Sequence, residues 1–397
     1  MAYLLFIVLI ILMVLCITYS RKKQFSYDVK ADYVYDNLIN SEIAVLYGNC
    51  VKLPQNILET DTVIAKVKVK STLLGQLVMP WITVSSEKGQ WRMYLEYGAK
   101  GVRYINLSGT FNDSREIRLV GHNVLLNDQE IELSIYPSEE LDQKKVLVLA
   151  PHADDAELSA YGLYEKQAKN ALVVTVTISE SGSFHYGNLY THHKEDETAQ
   201  YFQKARMRVW NSLAVPQLAG VSPENILQLG FFDGTLSAMK RNPTQEIGSS
   251  KLNTADVNIF RSANLSSMSK ELKGGSTWND LVDNLAYLIE RFQPDIIVSP
   301  SPNIDVHKDH QHTTLAALEA LKKINYQNGK LFLHTLHYLS DDFPIGKCGS
   351  ILSLPPKFTQ PFYFQSIYSL PLTREEQNRK FLALDAMNDI RPNPLRI

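Results

Sequence analysis

The sequence predicts an α/β fold: a Rossmann-like, mostly parallel sheet with helices on both faces, preceded by an N-terminal transmembrane helix and a small antiparallel β-sandwich-like domain. Three observations lead to it. Residues 2–19 carry no charge, residues 60–137 alternate apolar and polar side chains, and residues 145–338 alternate apolar strand-like runs with helical runs. A chain of 397 residues is also long for one domain. The predicted domains are therefore 1–23, 24–140 and 141–397.

The first twenty residues predict a membrane anchor. From Ala2 to Tyr19 the chain is mostly Leu, Ile, Val and Phe, and a helix of this length spans roughly 27 Å, near the thickness of the hydrocarbon core. No basic residue precedes the run, whereas Arg21, Lys22 and Lys23 follow it. Because a positive flank stays cytoplasmic, we expect a single-pass membrane protein whose catalytic domain is cytoplasmic. An export signal is the alternative.

Residues 24–140 predict a β-rich accessory domain. In its clearest run one face is apolar and the other is rich in lysine, with Val63, Ala65, Val67 and Val69 on the apolar face. This period of two is typical of strands with one wet face, and it favours an antiparallel sandwich or small barrel. Five aromatic residues suit either a sugar-stacking platform or ordinary core packing: Trp81, Trp91, Tyr94, Tyr97 and Tyr104.

From residue 145 the pattern becomes one of buried strands separated by helices. Lys145–Ala150 (KVLVLA) is apolar after its first residue and Ala171–Ile178 (ALVVTVTI) is mostly apolar, as in strands covered on both faces of a parallel sheet. Further strand-like runs are Ile226–Leu229, Asp295–Ser299 and Leu331–Tyr338. Their alternation with helices predicts right-handed βαβ units. No G-x-G-x-x-G follows the first strand, so the dinucleotide fingerprint is absent.

Charge and cysteine content exclude several classes of protein. Forty basic against forty-two acidic residues give a net charge of −2, which argues against a polybasic nucleic-acid-binding protein, so we expect no nucleic-acid partner. The three cysteines, Cys16, Cys50 and Cys348, contain no C-x-x-C pair. A disulfide framework and a cysteine-based zinc site are therefore excluded. Any metal would be held by histidines and carboxylates.

Two predicted strand ends carry metal-binding side chains. Pro151–Glu157 (PHADDAE) follows the first strand, and His307–His310 (HKDH) follows the strand at Asp295–Ser299. Since the carboxyl ends of parallel strands meet at one edge of a sheet, we expect the two motifs to lie together. Two imidazoles and one carboxylate, with one position open to water, form a common catalytic zinc site, and Fe²⁺ suits the same donors. The pattern favours a metal-dependent hydrolase.

The two motifs resemble the signatures of the PIG-L/LmbE family of zinc-dependent N-acetyl-sugar deacetylases. The matching segments are PHADDAEL at 151–158 and HKDH at 307–310, and LGFFDG at 229–234 resembles the family's internal Leu-Gly-x-x-Asp-Gly segment. The resemblance covers about residues 145–340. It implies that Zn²⁺ or Fe²⁺ is bound by three residues, namely His152, Asp155 and His310. It also implies that Asp154 is the general base, and that His307 binds or protonates the oxyanion with Asp309 orienting it.

The sequence departs from the family pattern at two points. Ala153 stands where proline is common, and the Arg-x-x-Glu that often follows the second strand is missing. Lys194 and Glu197 have that spacing, but lysine lacks the bidentate fork of arginine. We therefore take Lys194, with Asp233, as a candidate substrate-binding residue; an exposed helical face is the alternative. The histidines outside the motifs are predicted to start a helix or to pack: His312, His334 and His337.

Taken together, these patterns predict a membrane-anchored, metal-dependent N-deacetylase. It would hydrolyse the acetamide of an N-acetylated amino sugar, in a lipid-linked or nucleotide-linked glycan precursor, and release acetate. One alternative is a zinc hydrolase that acts on another acyl amide or an ester. The other is a non-catalytic glycan-binding or scaffold protein.

Overall fold

A computed structural model describes residues 2–35, 41–127, 130–182, 196–339, 343–356, 364–387 and 390. The chain forms two compact units. Residues 1–139 and 337–371 make up the first unit, and residues 140–336 and 372–397 make up the second. Residues 337–371 therefore belong to the first unit although they follow most of the second in the sequence.

Helix α1 covers Ala2–Lys22. No helix in the described part of the chain is long and apolar enough to cross a membrane. The predicted transmembrane anchor, and with it the single-pass membrane location with a cytoplasmic catalytic domain, is therefore wrong. The prediction rested on composition alone, namely the uncharged run from Ala2 to Tyr19.

The first unit contains one nine-stranded sheet. Its strands are β1 (Ser41–Tyr47), β2 (Cys50–Lys52), β3 (Thr62–Ser71), β4 (Trp81–Ser86), β5 (Gly89–Tyr94), β6 (Lys100–Asn106), β7 (Glu116–His122), β8 (Val124–Leu126) and β9 (Glu130–Tyr136). Their order is β5-β4-β7-β2-β1-β9-β3-β6, with β8 paired to β3, and all pairs are antiparallel. The predicted fold class is thus wrong, because a single large antiparallel sheet stands where a small sandwich-like domain was predicted.

The period-two pattern correctly located strand β3. Val63, Ala65, Val67 and Val69 are all buried and belong to the apolar core of this unit. The lysine side of the strand is more accessible. Strand β3 pairs with β6 on one edge and with β9 and β8 on the other, so it lies inside the sheet and not at its edge.

The aromatic residues of this sheet do not present an open stacking surface at Trp81. The imidazole of His122 stacks on its ring at a centroid distance of 4.6 Å. The guanidinium of Arg92 lies 5.4 Å from the centroid of the same ring. Because other side chains of the sheet already contact the Trp81 ring, packing is the better interpretation there.

The second unit contains a five-stranded parallel sheet flanked by helices. The strands are β10 (Val146–Ala150), β11 (Ala171–Thr177), β12 (Ile226–Phe231), β13 (Ile296–Pro300) and β14 (Lys330–His334), in the order β12-β11-β10-β13-β14. The described helices are α2 (Asp155–Lys166), α3 (Glu197–Leu218), α4 (Leu236–Arg241), α5 (Asn258–Arg261), α6 (Trp278–Phe292), α7 (Lys308–Lys323) and α8 (Arg374–Asp385). This sheet is separate from the antiparallel one, so the chain does not have one Rossmann-like sheet behind a membrane helix.

Helix α6 shows how local sequence builds this unit. Trp278, Leu281, Leu285 and Leu288 lie on one face and are buried in the apolar core. The Thr277 hydroxyl accepts a hydrogen bond from the Asp280 amide at 3.1 Å and caps the first turn. The helix ends at Gln293, which has a φ of 54°, and β13 begins shortly afterwards.

The strand order places a switch point beside β10. Strands β11 and β12 extend the sheet on one side of β10, whereas β13 and β14 extend it on the other. In open parallel sheets, ligands bind beyond the carboxyl ends of the strands where the order reverses. A ligand-binding site is therefore expected at the loops that follow β10 and β13.

Candidate metal centre

The two motifs follow strands β10 and β13 and therefore lie at the same edge of the sheet. They are parallel neighbours with Val146 opposite Ile296 and Val148 opposite Val298. The loop after β10 runs through Asp154 into α2, and the loop after β13 runs to the start of α7. The shared register explains why side chains more than 150 residues apart meet here.

Three donor atoms form a nearly equilateral triangle. His152 Nδ1 lies 3.1 Å from Asp155 Oδ2 and 3.2 Å from His310 Nε2, and His310 Nε2 lies 3.1 Å from Asp155 Oδ2. All three side chains are buried. Donors placed about 2.0–2.2 Å from one zinc ion in a tetrahedron lie about 3.3–3.6 Å apart, slightly more than the separations seen here. The spacing and chemistry of these donors therefore fit a small divalent cation.

The charges of the triangle are set by its own members. Burial raises the pKa of Asp155, but the neighbouring His310 and His152 outweigh it and hold that pKa well below its usual range. Burial lowers the pKa of His310, yet Asp155 and Asp305 outweigh it and raise the pKa to about 9. The carboxylate is therefore an anion that attracts positive charge, which a proton or a metal ion can supply.

The other ring nitrogen of His152 faces two more carboxylates. His152 Nε2 is buried, with Asp233 Oδ1 at 3.4 Å and Asp309 Oδ2 at 3.5 Å. The Asp309 carboxylate accepts hydrogen bonds from the amides of Gly234 (2.6 Å) and Leu236 (3.3 Å). Asp309 thus ties the segment after β12 to the start of α7, beside the donor triangle.

His307 occupies the N-cap of α7, next to the triangle. Its Nδ1 accepts a hydrogen bond from the Asp309 amide at 3.3 Å, so the hydrogen of the neutral ring is on Nε2. Burial lowers the pKa of His307, and the nearby His152 and His310 lower it further. The ring centroid is 4.7 Å from that of His152 and 4.9 Å from that of His310. A neutral hydrogen-bond donor therefore lies at the edge of the site.

The family comparison covers this site. The family model PIG-L, described as GlcNAc-PI de-N-acetylase, matches residues 147–321. Residues 147–321, less than half of the chain, are therefore similar to the PIG-L family. The resemblance seen in the two motifs is confirmed, and with it a deacetylase-type hydrolase as the enzyme class. The matched range includes the donor triangle, His307 and Asp233.

Several solved structures are similar to the chain that contains this PIG-L region. The 4-carboxy-2-hydroxymuconate hydratase from Pseudomonas putida is 17% identical, covers 62% of this chain and 80% of its own, and has a TM-score of 0.33. A conserved protein from Thermus thermophilus is 14% identical over 61% of this chain and 80% of its own, with a TM-score of 0.28. A family two carbohydrate esterase from Cellvibrio japonicus is 12% identical, over 75% and 89%, with a TM-score of 0.17.

Such low similarities support no conclusion about function. No curated protein matches the chain.

Asp154 lies apart from the triangle of the PIG-L region although it adjoins Asp155. Its side chain is 17% exposed, and its Oδ1 lies 3.0 Å from a guanidinium nitrogen of Arg208 on α3. Sequence analysis missed Arg208. The available signal was its position on the helix after the second parallel strand, with Asn211 three residues later. Lys194, the candidate in that role, lies outside the described residues.

Three further residues beside the site were not assigned to it from the sequence. Glu180 accepts a hydrogen bond from the Asp233 amide at 3.0 Å, and Asp305 contacts His310. Both carboxylates follow parallel strands, which was the only local signal. His334 ends β14, and burial lowers its pKa to about 4. Its two ring nitrogens are buried without a hydrogen bond to the rest of the described chain.

Proposed function

We propose that this protein is a metal-dependent N-deacetylase that hydrolyses the acetamide of an N-acetylated amino sugar and releases acetate. The donor triangle of His152, Asp155 and His310, with separations of 3.1–3.2 Å, is the observation that carries the proposal. Its place inside a segment matched by a de-N-acetylase family model adds support. The nearby Asp154 and His307 supply the acid–base and hydrogen-bonding groups that amide hydrolysis requires.

In this proposal His152, Asp155 and His310 hold Zn²⁺, and the same donors accept Fe²⁺. A bound divalent ion would act as a Lewis acid on the amide carbonyl and would lower the pKa of water to about 7. Burial of the three side chains suits this role, because charge interactions are stronger where water is excluded.

Asp154 is proposed as the general base. It takes a proton from the attacking water and returns it to the nitrogen of the departing amine, which leaves as a free amino sugar. Arg208, 3.0 Å from Oδ1, holds the carboxylate through one of its two oxygens. Partial exposure of the Asp154 side chain leaves room for water and substrate.

His307 is proposed to stabilise the oxyanion. Its Nδ1 accepts the Asp309 amide, so Nε2–H can donate to the carbonyl oxygen as negative charge develops there. Asp309 orients this part of the site by its backbone contact to His307 and by its bonds to Gly234 and Leu236. Asp233 is proposed to accept sugar hydroxyls, and Lys194 to bind an anionic part of the substrate.

Acetate release from a panel of acetylated sugars tests this function. The full chain, loaded with zinc, is given N-acetylhexosamines with nucleotide and lipid carriers, the matching O-acetyl sugars, and N-acyl analogues with longer chains. We expect acetate and free amine in equal amounts from N-acetyl substrates. Hydrolysis confined to O-acetyl sugars would identify an esterase instead, and release from none of the compounds would favour a non-catalytic glycan-binding protein.

A further inference from the structure

A carboxylate between β13 and α7 contacts both histidines of the HKDH motif. Asp305 is fully buried. Its Oδ2 lies 3.0 Å from His310 Nδ1, and its Oδ1 accepts a hydrogen bond from the His307 amide at 3.0 Å. One side chain therefore holds a donor of the metal triangle and the backbone of the candidate oxyanion residue.

Two more hydrogen bonds hold Asp305 in place. Its Oδ2 also accepts the Leu336 amide at 3.1 Å, and its carbonyl oxygen accepts the side-chain amide of Gln311 at 2.8 Å. These contacts come from the segment after β14 and from α7. The N–H groups of His307, His310 and Leu336 therefore converge on this buried carboxylate and hold both of its oxygens in place.

This arrangement decides which nitrogen of His310 can bind a metal. A carboxylate accepts hydrogen bonds and cannot donate them, so His310 Nδ1 keeps its hydrogen whether the ring is neutral or charged. Nε2, which faces His152 and Asp155, is then the nitrogen that can present a lone pair. We propose that Asp305 is a positioning residue that sets the tautomer and ring orientation of His310 for metal binding. The inference rests on the proposed metal-dependent function.

Replacing Asp305 by asparagine cannot satisfy all of these donors. If the amide oxygen accepts from His310 and Leu336, the NH₂ group opposes the His307 amide. If the amide oxygen accepts from His307, the NH₂ group opposes the Leu336 amide and demands an acceptor at His310 Nδ1. In that second orientation the hydrogen of the neutral ring moves to Nε2, where it blocks metal binding.

The experiment measures zinc affinity by chelator competition on the full chain, with zinc alone and no sugar. We expect Asp305→Asn to weaken zinc binding about 10-fold to 100-fold, as for other carboxylates that orient metal-bound histidines. Asp61→Asn is the matched control. Asp61 is also buried and accepts two amides, from Leu58 at 2.8 Å and Ser138 at 3.3 Å, in the antiparallel unit. The control should retain wild-type affinity within about twofold.

A second measurement needs no variant and so does not depend on how Asp305→Asn folds. In ¹⁵N spectra of the zinc-loaded wild-type protein, His310 should carry hydrogen on Nδ1 and bind zinc through Nε2. Zinc on Nδ1, or an unchanged affinity in Asp305→Asn, would overturn the inference. Both readouts use metal binding, so a protein that binds zinc but releases no acetate would refute the deacetylase function and leave this inference standing.

Discussion

Asp154 and Asp155 are neighbours in the sequence but have different surroundings. Asp155 is buried between two imidazoles, whereas Asp154 is partly exposed and paired with Arg208. If Asp154 is the base, Asp154→Asn should lower kcat for acetate release by about 10²-fold to 10⁴-fold, because the amide cannot take the proton. Zinc content should stay at the wild-type level, since Asp154 is not a proposed ligand.

The matched control for this variant is Asp256→Asn. Asp256 is an exposed carboxylate that accepts the Asn258 amide, a bond that asparagine can keep. The Asp256→Asn variant should have the kcat and the zinc content of the wild type. An Asp154→Asn protein with wild-type turnover, or one that has lost its zinc, would contradict the role of Asp154 as a general base that does not bind the metal.

His334 should make the protein sensitive to acid. Burial, with a smaller contribution from His310, lowers its pKa from 6.5 to about 4. Asp155 and Asp305 act in the opposite direction but do not cancel this effect. Between these two pH values the unfolded chain binds more protons than the folded one. The stability that neutral His334 contributes is therefore present above pH 6.5 and is lost as the pH falls towards 4.

Replacing His334 with asparagine, which does not titrate, should weaken this pH dependence. The free energy of unfolding of the wild type should fall relative to that of His334→Asn by up to about 1.4 kcal/mol per pH unit in this window. Urea unfolding of both proteins at several pH values between 4.5 and 7.5 measures the difference. If the free energies of unfolding of the two proteins change equally with pH, His334 titrates normally in the folded state.

At the scale of elements, helix α8 begins with a capping box. The Thr373 hydroxyl accepts the Glu376 amide at 3.2 Å, and the Glu376 carboxylate accepts the Thr373 amide at 2.6 Å. Ion pairs from Glu376 to Lys166 (2.7 Å) and from Arg379 to Glu165 (2.5 Å) attach α8 to α2 in the same unit. The cap is local, whereas the attachment depends on tertiary structure.

Thr373→Ala should destabilise α8 by about 1 kcal/mol, because the hydroxyl that caps the first turn is lost. Thr373→Ser keeps a capping oxygen and should stay close to the wild type. Hydrogen exchange of the α8 amides measures the effect, with faster exchange expected throughout the first turn of the alanine variant only. Equal protection in both variants would mean that the contacts to α2, and not the cap, determine the stability of this helix.

At the scale of the whole molecule, a buried ion pair links the N-terminal segment of the first unit to its sheet. Arg103 Nε lies 3.1 Å from Glu96 Oε2, and both side chains are 1% exposed. Arg103 also donates to the carbonyl oxygens of Val29 and Ala31. The hydroxyl of Tyr33 donates to Glu96. One guanidinium and one carboxylate thus connect residues 29–33 to β6 and the segment before it.

Arg103→Met should destabilise the protein by about 3–5 kcal/mol, because it leaves the Glu96 carboxylate buried without its partner. The control lies on the same sheet: Lys66 and Glu132 are 2.9 Å apart but 41% and 38% exposed. Lys66→Met should cost at most about 1 kcal/mol, since water already screens this pair. Urea unfolding compares the two variants, and similar losses in both would exclude a special role for the buried pair.

Elements of the fold were predictable where the pattern is local. Lys145–Ala150 is apolar after its first residue, and the structure has β10 at Val146–Ala150. The alternation of apolar and polar residues likewise predicted strand β3, because it is also a local pattern. Strand order was beyond this reasoning, because alternation shows that one face is wet but not which strands are neighbours. The sandwich-like domain was therefore predicted where one nine-stranded sheet exists.

Long-range contacts were equally invisible to local patterns. The segment 337–371 joins the first unit by bonds such as the Ile351 amide to the Arg92 carbonyl at 2.8 Å and the Tyr35 hydroxyl to the Pro355 carbonyl at 2.5 Å. The membrane anchor was predicted from composition alone, and no helix of the described chain is long and apolar enough to cross a membrane.

The sequence by itself determined the chemistry available in this protein: the two motifs, their position after apolar strands, and the family that residues 147–321 match. Only the tertiary structure decided which side chains meet. Parallel pairing of β10 with β13 brings His310 to His152, and the paths of the adjoining loops and helices bring Asp305 to His310 and Arg208 to Asp154. The physical reason is that residue types and periodicity are properties of short segments, whereas a hydrogen bond across 158 residues depends on register and packing throughout the sheet.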